Sequence, residues 1–156
     1  MATKKMAIIA TKGTLDMAYP PLILASTAAA LGWEVQIFFT FYGLQLLRKN
    51  LDGIRISPLA NPAMPMPVPM PVIVSVLPGM EAMATMMMKD KMKKKGVASL
   101  EELRSLCLEA DVKFIACQMT VDLFEFQTSE FIDGIEYGGA ATFMKFAGET
   151  DACLSI

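Results

Sequence analysis

The 156-residue chain contains no histidine. That absence removes the Ser-His-Asp and Cys-His arrangements in which an imidazole activates a nucleophile, and with them most zinc and iron sites. Cysteine is scarce. The three, at 107, 117 and 153, are odd in number and show no Cys-x-x-Cys spacing, which argues against a disulfide framework and for free thiols in a reducing compartment. Charge is scarce as well: charged residues make up 19% and the net charge is −2, so nothing drives the chain towards nucleic acid or an anionic membrane in general. A spanning helix needs about 20 unbroken apolar residues. The longest candidate, Ala60 to Met80, is interrupted by prolines at 62, 65, 67, 69, 71 and 78, and Tyr19 to Leu31 is too short. Met1 to Lys5 leads into a strand-like run without a secretory cleavage pattern. The expectation is a cytoplasmic protein with no membrane span.

What the chain has in excess is apolar surface. Hydrophobic residues reach 54%, above an average soluble domain, and the surplus points to a homo-oligomer interface. The length suits one domain, 1–156, able to bury roughly two-thirds of its unfolded surface.

The order of elements reads as α/β. Met6 to Thr11 is a compact apolar run and a first strand, and Lys12-Gly13-Thr14 turns at its carboxyl end. Leu15 to Leu31 is helical, with Ala18, Leu22, Ala25 and Ala29 on one face; Pro20 and Pro21 either break it or form its first turn. Gly32 closes it, and Glu34 to Thr40 is a second strand. Strand, helix and strand within about 40 residues make a parallel βαβ unit. Leu44 to Lys49 opens a second helix. An insertion over residues 50–96 then breaks the rhythm. Its Pro/Met stretch, Pro62 to Pro71, forms neither helix nor central strand and is apolar enough to pack against the domain or a neighbouring subunit. Val72 to Leu77 reads as a short edge strand, and Gly79 to Lys95 as a helix ending in cations and Gly96. Ser99-Leu100-Glu101-Glu102 is a capping box that starts a helix to Ala110. Short helices follow near Thr120 to Phe126 and from Ser129. Gly138-Gly139 opens a helix from Ala140 to Gly148, and Ala152 to Ile156 is a last strand. The sum is four or five mostly parallel strands with helices on both faces.

The chemistry concentrates in Val112 to Thr120. Val112, Phe114, Ile115 and Ala116 form a buried strand that delivers Cys117 to its carboxyl end, where a parallel sheet places reactive groups. A helix starting there, with Thr120 offering a capping hydroxyl, turns its positive end towards the sulfur and favours thiolate. The amides of Gln118 and Met119 are candidates to hold the anion without any side-chain base. Lys12, Gly13, Thr40, Tyr42 and the Gly138-Gly139 amides reach the same sheet edge if the strands are parallel, a lysine and a glycine nest being suited to an anionic sulfur group. Each has a plainer reading. Cys117 can be a small core hydrophobe, Gly138-Gly139 can serve tight backbone geometry, and Phe41 and Tyr42 can be packing. Cys107 and Cys153 read as core. Nine of fourteen methionines fall between Met64 and Met92; thioethers at that spacing can hold Cu(I) but serve equally as adaptable packing, and no metal site or cofactor is assigned. The lysines at 89, 91, 93, 94 and 95 form a solvated helix end or a dock for an acidic partner.

Five motifs together resemble the DsrE/DsrF/DsrH-like family: Lys12-Gly13-Thr14-Leu15-Asp16, Phe38-Phe39-Thr40-Phe41-Tyr42-Gly43-Leu44, Leu77-Pro78-Gly79-Met80, Phe114 to Thr120, and Gly138-Gly139-Ala140-Ala141-Thr142. The chain is most similar to the stand-alone branch often labelled peroxiredoxin-like, and the likeness spans nearly its whole length. It implies a flavodoxin-like three-layer αβα sandwich, oligomers, and a sulfur carrier or sulfurtransferase. One cysteine of such a protein takes up sulfane sulfur as a persulfide from a donor protein and passes it to an acceptor thiol. Cys117 falls on the family's cysteine. The alternative is a non-enzymatic module of the same fold that binds a small anion, a soft metal or a protein.

Overall fold

Apolar, β-branched-rich runs that are buried on both sides belong in the middle of a parallel sheet, and the two such runs of this chain lie there. The computed structural model describes residues 2–57, 67–68 and 71–156. Five strands, β1 (Lys5–Ala10), β2 (Glu34–Phe39), β3 (Lys113–Cys117), β4 (Glu136–Gly138) and β5 (Ala152–Ser155), form one sheet in the order β4-β3-β2-β1-β5. All four pairings are parallel, so every strand ends on the same edge.

Period-two alternation divides the sheet into two apolar faces. Ile8, Ala10, Val35, Ile37, Phe39, Phe114 and Ala116 belong to the larger core, which α1 (Leu15–Ala30) and α4 (Leu100–Glu109) cover with Leu22, Ala25 and Cys107. Ala7, Phe38, Ile115 and Cys117 face the opposite way and pack with Phe143 of α6 (Ala140–Ala147), whose ring stacks on Phe38 at 4.9 Å. The expected sandwich is therefore present, with helices on both faces of the sheet.

The capping box is formed as anticipated: the Ser99 hydroxyl accepts from Glu102 N at 3.1 Å and Ser99 N donates to the Glu102 carboxylate at 2.7 Å. Helix α1, by contrast, neither breaks nor begins at its prolines. It starts at Leu15 and carries Pro20 and Pro21 inside. Each proline removes one backbone donor, and burial of Ala18, Pro21, Leu22 and Ala25 offsets that loss.

Elsewhere the structure corrects the sequence reading. Residues 72–77 are not a strand: α2 (Val72–Ser75) is a single helical turn set up by Pro71, whose carbonyl accepts from Val74 N at 3.0 Å, and the segment joins neither edge of the sheet. The helix expected from Leu44 is instead a 3-10 segment, Phe41–Leu47. Its tight wind lets Gly43 lie on β1, where a Cβ would overlap the Ala10 carbonyl. Gly138 ends β4, a strand the sequence reading lacked, so α6 follows Gly139 rather than a glycine pair in a loop. Cys153 is exposed on the edge strand β5 and is not core.

The insertion is anchored through α3 (Met80–Lys94), where the Thr85 hydroxyl accepts from Ile56 N at 3.0 Å and Met88 and Met92 pack against the core. The expected packing of the Pro/Met stretch lies largely outside the described residues. Among the described residues no helix is long and apolar enough to cross a membrane.

Candidate functional site

Strand β3 stops where its sequence turns from apolar to polar, and its last residue is Cys117. That residue keeps extended geometry, φ −66° and ψ 110°, and is itself the N-cap of α5 (Gln118–Leu123). The ladder places Gly138 directly beside Cys117 on β4. On the other side Phe39 pairs with Ala116, so the next step of the same register sets Thr40 beside Cys117. The sulfur thus lies between the ends of β2 and β4, on the α6 face of the sheet, with 4% of the residue exposed.

Thr120 is the residue that the sequence reading misjudged. It does not cap α5. It occupies the third helical position, with its side chain turned back to the N-cap, and is 0% exposed. Its hydroxyl lies 3.2 Å from the Thr40 hydroxyl and accepts from Phe41 N at 3.2 Å. The N-cap to third-position spacing that serves Ser99 and Glu102 also brings Thr120 to Cys117, and the Cys-x-x-Thr pattern was the signal for it.

These groups decide the state of the sulfur. Burial alone would raise the thiol pKa; the Thr120 hydroxyl and amide, the Thr40 hydroxyl and the Met119 amide outweigh it and hold Cys117 below the ordinary thiol value. Hydrogen bonds to the charged form have that sign. Because α5 has only six residues, the effect belongs to individual N–H and O–H groups more than to a long helix dipole.

The other candidates sort by distance from this point. Met119 contributes its amide and exposes 60% of its residue surface. Gln118 turns outward, its side-chain amide donating to Asp122 at 2.8 Å. Lys12 is exposed after β1, two strands from β3, which is about 10 Å across the sheet. The groups that lower the Cys117 thiol are hydroxyls and amides, and Lys12 is not among them. Gly13 fits closely beneath the 3-10 segment, where a Cβ would overlap the Tyr42 carbonyl. Tyr42 itself is 65% exposed and stacks on Phe124 at 6.2 Å, with Phe41 edge-on to the same ring at 6.3 Å; it forms part of an aromatic rim. Neither Gly138 nor Gly139 has a left-handed φ. A Cβ on Gly139 would meet nothing within 4 Å and one on Gly138 only ordinary contacts from 3.4 Å, so tight geometry does not explain them.

The rim is held rigidly from behind. Arg104, buried in α4, donates to the carbonyls of Leu46 at 2.9 Å and Arg48 at 2.6 Å, and Arg48 forms an ion pair with Glu130 at 3.1 Å while lying over the Phe126 ring. Phe41 adopts φ +49°, an uncommon backbone state for a bulky residue, and in it the Phe41 amide meets Thr120.

Residues 2–154 match the model of the DsrE/DsrF/DrsH-like family. The chain is 67% identical over 160 residues to the sulfur carrier protein DsrE2 of Allochromatium vinosum, with 100% of both chains covered. It is 34% identical over 158 residues to the protein YrkE of Bacillus subtilis, covering 99% of this chain and 98% of that one. Among solved structures it resembles the ychN protein of E. coli with a TM-score of 0.55, over 99% of this chain and 100% of that one, at 12% identity. That last likeness is one of fold. The family match runs through the segments that build the Cys117 site, and the chain belongs to the DsrE/DsrF/DrsH-like family.

Proposed function

We propose that the protein is a sulfur carrier: it takes up a sulfane sulfur on Cys117 and hands it to the thiol of a partner protein. The observation that carries this reading is a thiolate-favouring cysteine at the carboxyl end of the sheet, at the start of a helix whose Met119 is exposed. The name of the 67%-identical relative supports it. In uptake, the Cys117 thiolate attacks the outer sulfur of a persulfide donor, a new S–S bond forms, and the donor's inner sulfur leaves as thiolate. In delivery, an acceptor thiolate attacks the outer sulfur now on Cys117, and Cys117 leaves as thiolate. No step needs a metal or an organic cofactor.

The same reading takes the protein to be a single-domain, cytoplasmic homo-oligomer. Free thiols suit a reducing compartment. The exposed apolar side chains of Ile73, Val76, Leu77, Met83, Met86 and Met87 are the kind of surface that a protein neighbour covers.

Mass spectrometry of the intact protein after incubation with a persulfide or polysulfide tests the assignment. The expected result is a gain of sulfur that survives Cys107→Ser and Cys153→Ser and disappears in Cys117→Ser. A gain spread over all three thiols, or none, overturns it.

A further inference from the structure

The Cys117 sulfur is adjoined by two hydroxyls whose own bonding is asymmetric. Thr120 already accepts one hydrogen bond, from the backbone of Phe41, and shares a second with the Thr40 hydroxyl, in which either can donate. Thr40 lies 3.2 Å from it and, by register, next to the sulfur. Hydroxyl protons rotate to suit their neighbours, so each can turn towards an anionic sulfur, and the bond between the two is given up when both do. A sulfur in transit alternates between two roles: attacking group on loading, leaving group on delivery. Stabilising the thiolate affects these roles differently. On loading, a larger thiolate fraction is offset by a weaker nucleophile; on delivery, a more stable thiolate leaves faster without any such offset.

We infer that Thr120 and Thr40 are positioning residues which make Cys117 a better sulfur donor than acceptor, by hydrogen-bonding the thiolate that departs when the outer sulfur is handed on. This rests on the carrier reading. In the delivery step the acceptor thiolate forms a bond to the outer sulfur, the bond from that sulfur to Cys117 breaks, and the electron pair stays on Cys117 under the two hydroxyls. No net oxidation occurs, and the proton on the outer sulfur travels with it. Phe41 belongs to the device: its φ of +49° directs the amide that occupies the acceptor side of Thr120.

Two measurements test this in a Cys107→Ser, Cys153→Ser protein carrying Thr120→Val, Thr120→Ser or Thr40→Val. The first is the pH dependence of iodoacetamide alkylation, which needs no sulfur. Its midpoint is expected to rise by about one pH unit in Thr120→Val, by less in Thr40→Val, and to return in Thr120→Ser, which keeps the hydroxyl. The second compares loading from a small persulfide with delivery to a small thiol, at a pH above both midpoints. Delivery from Thr120→Val is expected to slow while loading holds or quickens. An unmoved alkylation midpoint in variants with wild-type thermal unfolding overturns the inference, as does equal slowing of loading and delivery. If Cys117 accepts no sulfur in any variant while the midpoint still shifts, the carrier reading fails and takes the delivery bias with it.

Discussion

Cys107 and Cys117 are both closed off, at 0% and 4% exposure, but the regions around them treat a proton in opposite ways. Cys107 faces α1 from the last turn of α4, and its sulfur donates to the Leu22 carbonyl at 3.4 Å. Burial pushes its pKa up to about 11. One backbone hydrogen bond, from Ser26, favours the anion but does not offset the burial. Cys117 is as hidden but sits where a strand ends and a helix begins. There the unpaired N–H groups of a first turn and two hydroxyls converge, and the thiol is pushed down. The difference teaches that depth does not set thiol chemistry in this fold. The position of the sulfur along its element does.

The largest way to break this contrast is to open the face over Cys117. Phe143→Ala removes a fully enclosed ring from against Phe38 and the site, and is expected to cost about 3–5 kcal/mol in urea unfolding. Alkylation of Cys117 should then accelerate while that of Cys107, behind the sheet, stays slow. Unchanged Cys117 reactivity in a measurably destabilised variant would show that α6 does not guard the sulfur. A second expectation follows from protons. An unfolded Cys107 ionises near 9.0, the folded one only at about 11. The unfolded state therefore loses its proton first. The associated stability is complete below about pH 9 and declines between 9 and 11, by roughly 2–3 kcal/mol at most. Cys107→Ala, unfolded beside the wild type across that range, should lack this slope. Cys117 has the opposite sign, since its stability is present above the ordinary thiol range and is lost as pH falls through its lowered value. The smallest effect concerns α4 alone. Ser99→Ala deletes the capping box and should cost about 1 kcal/mol, raising alkylation of Cys107 without touching Cys117. Equal gains at both thiols would mean that the two regions open together.

Much of this was legible in the chain. Strand and helix order followed from apolar runs punctuated by glycine and capping signals, and parallel pairing followed from the βαβ spacing. Cys117 at a strand end could be read for the same reason. Three features could not be read, each for a physical cause. Strand β4 has only three residues, too few to show a period. The helical turn at Val72–Ser75 carries β-branched residues that favour a strand, and the turn that Pro71 starts overrides that preference. The partnership of Thr40 with Thr120 joins residues 80 apart in sequence, and no local pattern reports a contact made by register. Lys12 was the natural choice for a charge to hold a thiolate. The strand order puts it two positions too far away.

That displacement of the lysine leaves Cys117 in the keeping of neutral groups. A thiolate paired with a cation loses its advantage as ions screen the pair, whereas short hydrogen bonds from hydroxyls and amides in an enclosed spot are little affected by ionic strength. Because hydroxyls and amides are what lower Cys117, its reactivity should depend little on ionic strength. A partner of either net charge would meet the same nucleophile.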